Sequence, residues 1–447
     1  MEPKLVRGLG FIDSTSIVIG TIIGTGIFLK TPIMAQTVGS PFYVLLAWLV
    51  AGLLSCAGAL AYAELGGMFH QTGGEYIYLK EAYGRLPSFL YGWQRFWIGS
   101  PGTIAAYSVG AATFLGATFS LEFIGGKTGL AISFIIFFSL LNCLAITFGG
   151  KVQSFLTFLK IFLIVAIIFG IFFASQSADW LHLNAPAGGG RWPGFSAFGV
   201  AMLAALWAYD GWNNLPMVSG EIKNPQRNIP LSLIIGIFSI LLIYMMANLV
   251  YFYALPFAEV LSANSTAYPD ALPVATSAAQ TFLGPVGITV LSVVFAISAL
   301  GAMNGSILTS ARVPFAMAED SLFPQKLSNV NSKTRVPVLA VLVQGVWSCL
   351  LAMSGTFDQL TDYVVFASWI FYAAATGAII LFRRRLPNIP RPYKTLGYPW
   401  VPVIFMIASV FLLINTLYTS PQQSGIGLMI ILAGLPVYFY FHRSRSK

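Results

Sequence analysis

Two charged residues stand in segments that are otherwise apolar, and their side chains could bind charged groups. Asp210 lies in WAYDGWN at 207–213, and Lys160 lies in FLTFLKIFLIVAIIFG at 155–170. A buried charge is costly and normally faces a polar partner or a pathway. A third stretch, IIGTGIF at 22–28, sets two glycines around a threonine. These stretches suggest non-covalent binding of ions.

Catalytic chemistry is not indicated. An enzyme acting inside a membrane would need paired acids, a Ser/His pair or metal ligands at one depth. The three histidines are scattered over different regions, and the three cysteines lie in apolar segments without metal-ligand or disulfide spacing. We expect no enzyme activity, no catalytic residues, no metal site and no cofactor.

The elements that must position the charged residues are membrane-spanning helices. Of 447 residues, 57% are hydrophobic and 9% are charged, against roughly 25% charged in a typical soluble protein. The mean hydropathy is +0.78. A spanning helix needs about 20 mostly apolar residues, and we find twelve candidates. Their limits are 11–38, 41–66, 86–116, 128–148, 152–176, 195–219, 230–254, 286–316, 337–354, 360–382, 400–418 and 424–442.

The positive charges predict the topology. With a cytoplasmic N-terminus, the inner loops and tails contain nineteen Lys and Arg residues, and the outer side contains Lys30, Lys127 and Arg191. This asymmetry predicts a multi-pass protein of the cell membrane with both termini cytoplasmic. The net charge of +9 therefore reflects topology and gives no argument for nucleic-acid binding. The basic segment 383–394 suits contact with anionic lipid headgroups.

The first candidate span is unusually long. Residues 11–38 would form a helix about 42 Å long, against a hydrocarbon core of about 30 Å. The glycines of IIGTGIF weaken a helix at its middle, although they would equally suit a close-packed face between helices. The sixth span has a glycine in WAYDGWN, about 15 residues after its start at Phe195.

Interruptions in two corresponding spans, the first and the sixth, are typical of a transporter binding site made of discontinuous helices. Unwound backbone at membrane depth is tolerated where it lines a cavity or is buried in protein. We expect the backbone of Gly24, Thr25 and Gly26 to bind an anionic group of the ligand. The spans divide as five, five and two. We therefore predict one transmembrane domain over 1–447, with repeats at 11–176 and 195–382 and two additional helices at 400–442.

Six motifs resemble one known family in the same order. They are VIGTIIGTGIF (18–28), TGGEYIYLKEAYG (72–84), LWAYDGWNNL (206–215), GEIKNPQRNIP (220–230), NGSILTSARVPFAMAEDSLFP (304–324) and RPYKTLGYP (391–399). The chain resembles the amino acid–polyamine–organocation superfamily and, within it, the L-amino-acid transporter family. The resemblance implies an all-α integral membrane protein with a LeuT-like fold. This fold has twelve transmembrane helices, a 5+5 inverted repeat plus two extra helices, and breaks in helices 1 and 6.

The resemblance also implies a site and an activity. The implied substrate-binding residues are Thr21, Ile22, Gly24, Thr25, Gly26, Trp207, Ala208, Asp210, Gly211 and Asn304. The implied activity is sodium-independent exchange of neutral amino acids by alternating access. The motif WAYDGWN extends the implied substrates to cationic amino acids. Asp210 could instead cap the inner half of the broken helix. Trp207 could be a packing residue, and Asn304 could tie two helices together.

Lys160 has two alternative roles. It lies nine residues after Lys151, about 13.5 Å along a helix and hence near mid-membrane. The resemblance places it where sodium-coupled relatives hold a sodium ion, near the first helix and the hydroxyl of Ser298. It could remain a permanent surrogate cation, as we favour, or gain and lose a proton and make the protein a proton-coupled symporter.

The expected partners are L-amino-acid substrates and membrane lipid. Animal members of the family pair with a single-span glycoprotein through a cysteine between the third and fourth spans. The corresponding segment here, 117–128, contains no cysteine. We therefore expect no disulfide-linked heavy chain, and the short termini suit a prokaryotic member of the family.

Overall fold

The computed structural model of the protein describes residues 4–116, 118–184, 191–268, 271–354 and 357–445. Within these ranges the regular structure is helical, apart from one isolated bridge between Leu9 and Ile222. The chain ends at 1–3 and 446–447, for which the sequence predicts a cytoplasmic position, lie outside the described residues.

The described α-helices fall into two groups in chain order. Those before residue 210 are α1 (Phe11–Ile22), α2 (Gly26–Val38), α3 (Pro41–Met68), α4 (Glu75–Tyr83), α5 (Arg85–Gln94), α6 (Ser100–Gly116), α7 (Gly126–Asn142), α8 (Ile146–Ala174) and α9 (Phe195–Tyr209). Those after it are α10 (Pro225–Ala254), α11 (Phe257–Leu261), α12 (Val274–Leu283), α13 (Val286–Ser310), α14 (Arg312–Glu319), α15 (Val338–Ser354), α16 (Phe357–Arg385), α17 (Trp400–Thr419), α18 (Pro421–Leu432) and α19 (Gly434–Arg445).

Helix α8 shows which solvent surrounds the molecule. Its exposed face carries Phe155, Phe158, Phe162, Phe169 and Phe173, each more than half exposed. Its buried face carries Gln153, Thr157 and Lys160. A helix that turns phenylalanines outward and polar groups inward needs an apolar solvent. Eight helical segments in the described ranges are long and apolar enough to cross a membrane. The protein is a helical, multi-pass membrane protein, and the total of twelve crossings stays a prediction.

Two predicted span limits are wrong at an apolar turn between neighbouring helices. The predicted span 128–148 corresponds to α7, which ends at Asn142, and the predicted span 152–176 corresponds to α8, which already begins at Ile146. The turn between them lies within the apolar run LNCLAIT at 141–147. Hydropathy cannot mark a turn made of apolar residues, so both limits were wrong by several residues.

The predicted interruption of the first span is confirmed. Helix α1 ends at Ile22 and α2 begins at Gly26, so Ile23, Gly24 and Thr25 are not helical. Gly26 lies against Ala208 of α9, and a Cβ atom at Gly26 would stand only 2.6 Å from the Cβ of Ala208. Glycine at this position therefore lets the two chain segments approach closely.

The sixth span is interrupted as well, but it does not resume as an α-helix. Helix α9 ends at Tyr209, and Gly211 has a φ of +124°, which favours glycine. The segment that follows, Trp212–Glu221, is a 3₁₀ helix that contains Pro216. Proline lacks the N–H that an α-helix interior requires. The predicted span 195–219 therefore consists of one α-helix and one tighter segment.

A buried ion pair fixes the far end of the 3₁₀ segment. The Glu221 carboxylate accepts hydrogen bonds from Arg312 of α14, at 2.8 Å from Nε and 3.0 Å from Nη2. Both side chains are almost completely buried. The backbone N–H of Leu9 also donates to the Glu221 carbonyl, at 3.0 Å. The irregular segment is thus held at its end, and its start at Gly211 faces α1.

Candidate binding site at the two helix interruptions

An ammonium group holds the backbone of the first interruption. Lys160 Nζ donates to the carbonyl oxygens of Gly20 at 2.8 Å, Ile23 at 2.5 Å and Ser298 at 2.9 Å. The Ser298 hydroxyl donates to the Gly24 carbonyl at 2.9 Å. Lys160 and Ser298 are fully buried. The structure brings Lys160, Ser298 and the first helix together, and the lysine meets the Ser298 carbonyl rather than its hydroxyl.

Two tyrosines hold further carbonyl groups at the interruptions. Tyr107 of α6 donates its hydroxyl to the Thr21 carbonyl at 3.2 Å. Tyr244 of α10 donates to the carbonyls of Ile22 at 3.1 Å and Ala208 at 2.9 Å, and so joins both interruptions. Sequence reasoning did not single out either tyrosine. The chain has 19 tyrosines, and no local motif distinguishes these two.

The threonine of α1 provides a direct link between the interruptions. Thr21 Oγ1 donates to the Gly211 carbonyl at 3.0 Å. A Cβ atom at Gly211 would stand 2.9 Å from the backbone carbon of Thr21, so these two segments touch through their backbones. Among the proposed site residues, Thr21, Ile22, Ala208 and Gly211 therefore form one contact region.

The amide groups of the first interruption differ from its carbonyls. In the described chain, no hydrogen-bond acceptor is paired with the N–H groups of Gly24, Thr25 or Gly26. Thr25 Oγ1 is also buried without a partner. Buried N–H groups are rarely left unpaired in proteins. Free N–H groups at the start of a helix, where the helix dipole is positive, suit an anion such as a carboxylate.

The second interruption carries a charged side chain. Asp210 is partly buried, and its Oδ1 accepts a hydrogen bond from Tyr372 of α16 at 2.9 Å. The N-cap residue of the following 3₁₀ segment is Gly211, which has no side chain of its own to cap it. The ring of Trp207 lies 6.1 Å from the ring of Tyr107, measured between centroids. Trp207 and Asp210 therefore lie next to residues that contact the first interruption.

Sequence reasoning did not assemble a cluster of buried polar groups around Asn213 and Asn214, which follow the second interruption in the chain. Arg95 Nη2 donates to Asn214 Oδ1 at 2.7 Å, and Asn213 Nδ2 donates to Glu75 Oε1 at 2.9 Å. Arg95 follows α5 and opens a π-helical turn, Arg95–Gly99. Such turns occur frequently at functional sites. Glu75 is the first residue of α4.

The amide of Asn304 is used between helices. Its Nδ2 donates to Gln153 Oε1 of α8 at 2.8 Å, and its Oδ1 accepts from Asn142 Nδ2 of α7 at 2.8 Å. Both ends of the side chain therefore have protein partners. This arrangement agrees with the helix-tying role.

Comparisons with known proteins show the family of the chain. The sequence pattern described as amino acid permease matches residues 9–441. The chain is 33% identical to the serine/threonine exchanger SteT of Bacillus subtilis (strain 168) over 457 aligned residues, which cover 99% of this chain and 98% of that protein. It is 30% identical to the human cystine/glutamate transporter, over 98% of this chain and 86% of that one. It is 31% identical to the human b(0,+)-type amino acid transporter 1, over 98% and 89%.

Proposed function

The chain belongs to the amino acid permease family, as an L-amino-acid transporter of the amino acid–polyamine–organocation superfamily, and from that premise we propose that it exchanges L-amino acids across the cell membrane without sodium. Members of this family are transporters and not enzymes. The relatives named above include two that are called exchangers or transporters of polar amino acids. Which amino-acid side chains this protein transports must therefore be argued from its own binding site.

The observation that supports this function best is the asymmetry at the first interruption. The carbonyls of Thr21, Ile22, Ile23 and Gly24 all accept hydrogen bonds from side chains. Among the residues that the structure describes, the N–H groups of Gly24, Thr25 and Gly26 have no hydrogen-bond partner. This backbone can therefore bind the α-carboxylate of an amino acid, and the Thr25 hydroxyl adds a further donor. The α-ammonium group would then lie toward Asp210 and Trp207, where a carboxylate and an aromatic face attract it.

Sodium independence rests on Lys160. Its ammonium donates to three carbonyl oxygens, which is the type of ligand that a bound alkali cation would also need. Three carbonyl acceptors stabilise the charged form of a lysine, because the ammonium group has three N–H donors and each acceptor takes a hydrogen bond from one of them. This arrangement favours the permanent surrogate cation over a group that releases its proton in each cycle.

The proposed architecture follows from the two interruptions. We place twelve crossings in two repeats, 11–176 and 195–382, followed by two additional helices at 400–442. The interrupted helices are then the first of each repeat, as alternating access around a central site requires. The positive-inside asymmetry supports cytoplasmic termini. The outer segment 117–128 has no cysteine, which supports a transporter without a disulfide-linked partner.

Transport in reconstituted vesicles tests the proposal. We expect proteoliposomes loaded with unlabelled amino acids to take up labelled ones, and empty vesicles to take up little. Replacing sodium with choline on both sides should leave the exchange unchanged. Uptake into empty vesicles driven by a pH gradient would instead establish the proton-coupled symporter. Absence of exchange for all twenty amino acids would refute the transport proposal.

A further inference from the structure

Four buried side chains form a continuous row of hydrogen bonds that leads from α7 to α1. Asn142 Nδ2 donates to Asn304 Oδ1 at 2.8 Å, and Asn304 Nδ2 donates to Gln153 Oε1 at 2.8 Å. Gln153 Nε2 donates to Thr157 Oγ1 at 3.4 Å, and Thr157 Oγ1 donates to the Ser16 carbonyl at 3.0 Å. The four side chains are at most 5% exposed. This polar row therefore connects α7, α13 and α8 to the backbone of α1.

The hydrogen bonds of the polar row all run in one direction. The amide oxygen of Gln153 accepts from Asn304, so its N–H groups point to the other side, toward Thr157. Gln153 Nε2 also lies 3.5 Å from the Ser16 carbonyl, at the limit of a hydrogen bond. A hydroxyl has a single proton, and the bond from Gln153 leaves the proton of Thr157 for Ser16. The polar row therefore fixes the orientation of the Thr157 hydroxyl.

Helix α8 holds the backbone of α1 at several levels. Thr157 donates to the Ser16 carbonyl. Lys160 donates to the carbonyls of Gly20 and Ile23. A Cβ atom at Gly20 would collide with Thr157 Oγ1, so glycine allows the close approach of the two helices. Lys160 acts at the interruption, whereas Thr157 acts about two helical turns before it.

A second side-chain contact between α8 and α1 is less buried. Ser154 donates to Asp13 Oδ1 at 3.0 Å, and Asp13 is partly exposed, so water can replace this bond when the helices separate. The Ser16 carbonyl is bonded in a buried place, where an acceptor without a donor is costly. We therefore expect the Thr157 bond, more than the Ser154 bond, to determine how readily α1 leaves α8.

We propose that Thr157 is a positioning residue of the transport cycle: its hydroxyl, oriented by the polar row, holds α1 against α8 and releases the Ser16 carbonyl when the binding site opens toward the predicted cytoplasmic side. The inference rests on the proposed transport function, because alternating access requires the site to open on each side in turn. A bond that exists in only one conformation favours that conformation, and its loss shifts the equilibrium away from it. Thr157 acts through α1 and contacts no substrate.

The experiment compares two substitutions of threonine by valine, which keep the side-chain shape and remove the hydroxyl. Thr157→Val removes the bond to Ser16. Thr309→Val is the matched control, because Thr309 is equally buried and its hydroxyl donates to the carbonyls of Gly305 and Ser306 in its own helix.

A cysteine on α1 reports whether the helix leaves α8. Ser16→Cys changes the side chain and keeps the carbonyl that Thr157 binds, and the three native cysteines are replaced by alanine. The new thiol is labelled with a membrane-impermeant maleimide in inside-out membrane vesicles. We expect labelling to be about fivefold faster in Thr157→Val than in its parent, since one hydrogen bond is lost. In Thr309→Val the labelling rate should not change.

Exchange in proteoliposomes provides the second measurement. A shift toward the conformation that is open to the cytoplasmic side lowers the half-saturation concentration on that side and raises it on the other. We expect these opposite, several-fold changes in Thr157→Val and no change in Thr309→Val. A merely structural role would lower the exchange rate without moving the two half-saturation concentrations in opposite directions.

The polar row itself is tested through its middle residue. Asn304→Leu removes the donor to Gln153 and should accelerate labelling in the same direction as Thr157→Val. The double variant Thr157→Val/Asn304→Leu should be labelled no faster than the faster of the two single variants, because both act through one bond. Additive acceleration would contradict a row that acts through the Thr157 hydroxyl.

Several outcomes overturn the proposal while leaving transport itself intact. One is labelling of Thr157→Val at the parent rate. Another is equal acceleration in Thr157→Val and Thr309→Val, which would indicate a general loss of packing. Faster labelling without opposite shifts in half-saturation would refute the role in transport. If Asn304→Leu fails to fold, as judged by size-exclusion chromatography, the two valine variants decide. A wild type that exchanges no amino acid refutes the transport function instead, and the labelling rates still report on the bond.

Discussion

The interruption of the first helix is built from backbone, whereas that of the sixth carries a charged side chain. At the first, Lys160, Ser298, Tyr107 and Tyr244 occupy carbonyl oxygens. At the sixth, the Asp210 carboxylate accepts a hydrogen bond from Tyr372. Backbone amides can recognise only what all amino acids share, and side chains can recognise what distinguishes them. The comparison predicts that changes at the first interruption impair transport of every substrate alike.

The largest effect is expected for Lys160→Ala. The change leaves the carbonyls of Gly20, Ile23 and Ser298 without their common donor, at about 1–3 kcal/mol for each buried acceptor. Exchange should fall at least about a hundredfold for all substrates. The exposed Lys151 on the same helix provides the control, and Lys151→Ala should retain exchange. Wild-type exchange rates in Lys160→Ala would contradict the central role of this cation.

Gly26→Ala should have the next largest effect. The added methyl group would stand 2.6 Å from the Cβ and 2.8 Å from the Cα of Ala208. Because one of these atoms is backbone, the two interrupted helices must separate. We expect exchange to fall about tenfold or more, with a matching loss of thermal stability. Gly425 of α18 has open space around it, so Gly425→Ala is the control. Equal behaviour of the two variants would mean that the close approach is unimportant.

Tyr244→Phe should have a moderate effect, because it removes a hydroxyl that bonds to carbonyl groups of both interruptions. A hydrogen bond contributes about 1 kcal/mol, so we expect exchange to fall about fivefold to tenfold without a change in substrate preference. Tyr209 packs against Tyr244, and its buried hydroxyl has no partner. Tyr209→Phe should therefore behave like the wild type. If Tyr244→Phe changed which amino acids compete, this result would contradict the separation of the two interruptions into one that binds all substrates alike and one that distinguishes them.

The smallest effect is expected for Thr25→Val, which keeps the side-chain shape and removes the unpaired hydroxyl. Removing an unsatisfied buried group costs the empty protein nothing. We expect unchanged or slightly higher thermal stability without substrate, and a several-fold weaker apparent affinity for every amino acid. The measurement is the melting temperature with and without substrate. A variant that loses stability when empty but binds normally would show that the hydroxyl serves the fold.

The sequence allowed the two interruptions to be located because glycine leaves a local signal. GTG marks residues 24–26, and DG marks the end of α9. The mid-membrane depth of Lys160 stays a prediction from the nine residues that separate it from Lys151, whereas its burial is observed. The end of α7 could not be predicted from the sequence, because the turn after this helix is apolar and hydropathy does not distinguish it from the helix.

The partners of these residues could not be predicted from local pattern. Tyr107 bonds to a residue 86 positions away, and Tyr244 to residues 222 and 36 positions away. Such contacts depend on tertiary packing, and aromatic residues are too frequent in apolar spans to stand out. Asn304 was placed at the ligand by resemblance, whereas its amide bonds to Asn142 and Gln153.

The attachment of the Lys160 cation to the chain has an energetic consequence. An ion that enters from one side and leaves on the other brings the free energy of its gradient into each cycle. The ammonium group of Lys160 is covalently attached to α8 and does not cross the membrane. It therefore supports the geometry of the first helix but contributes no gradient free energy to transport. In the proposed exchanger, every amino acid taken in must be matched by one released, and the concentration ratios of the two pools alone set the direction.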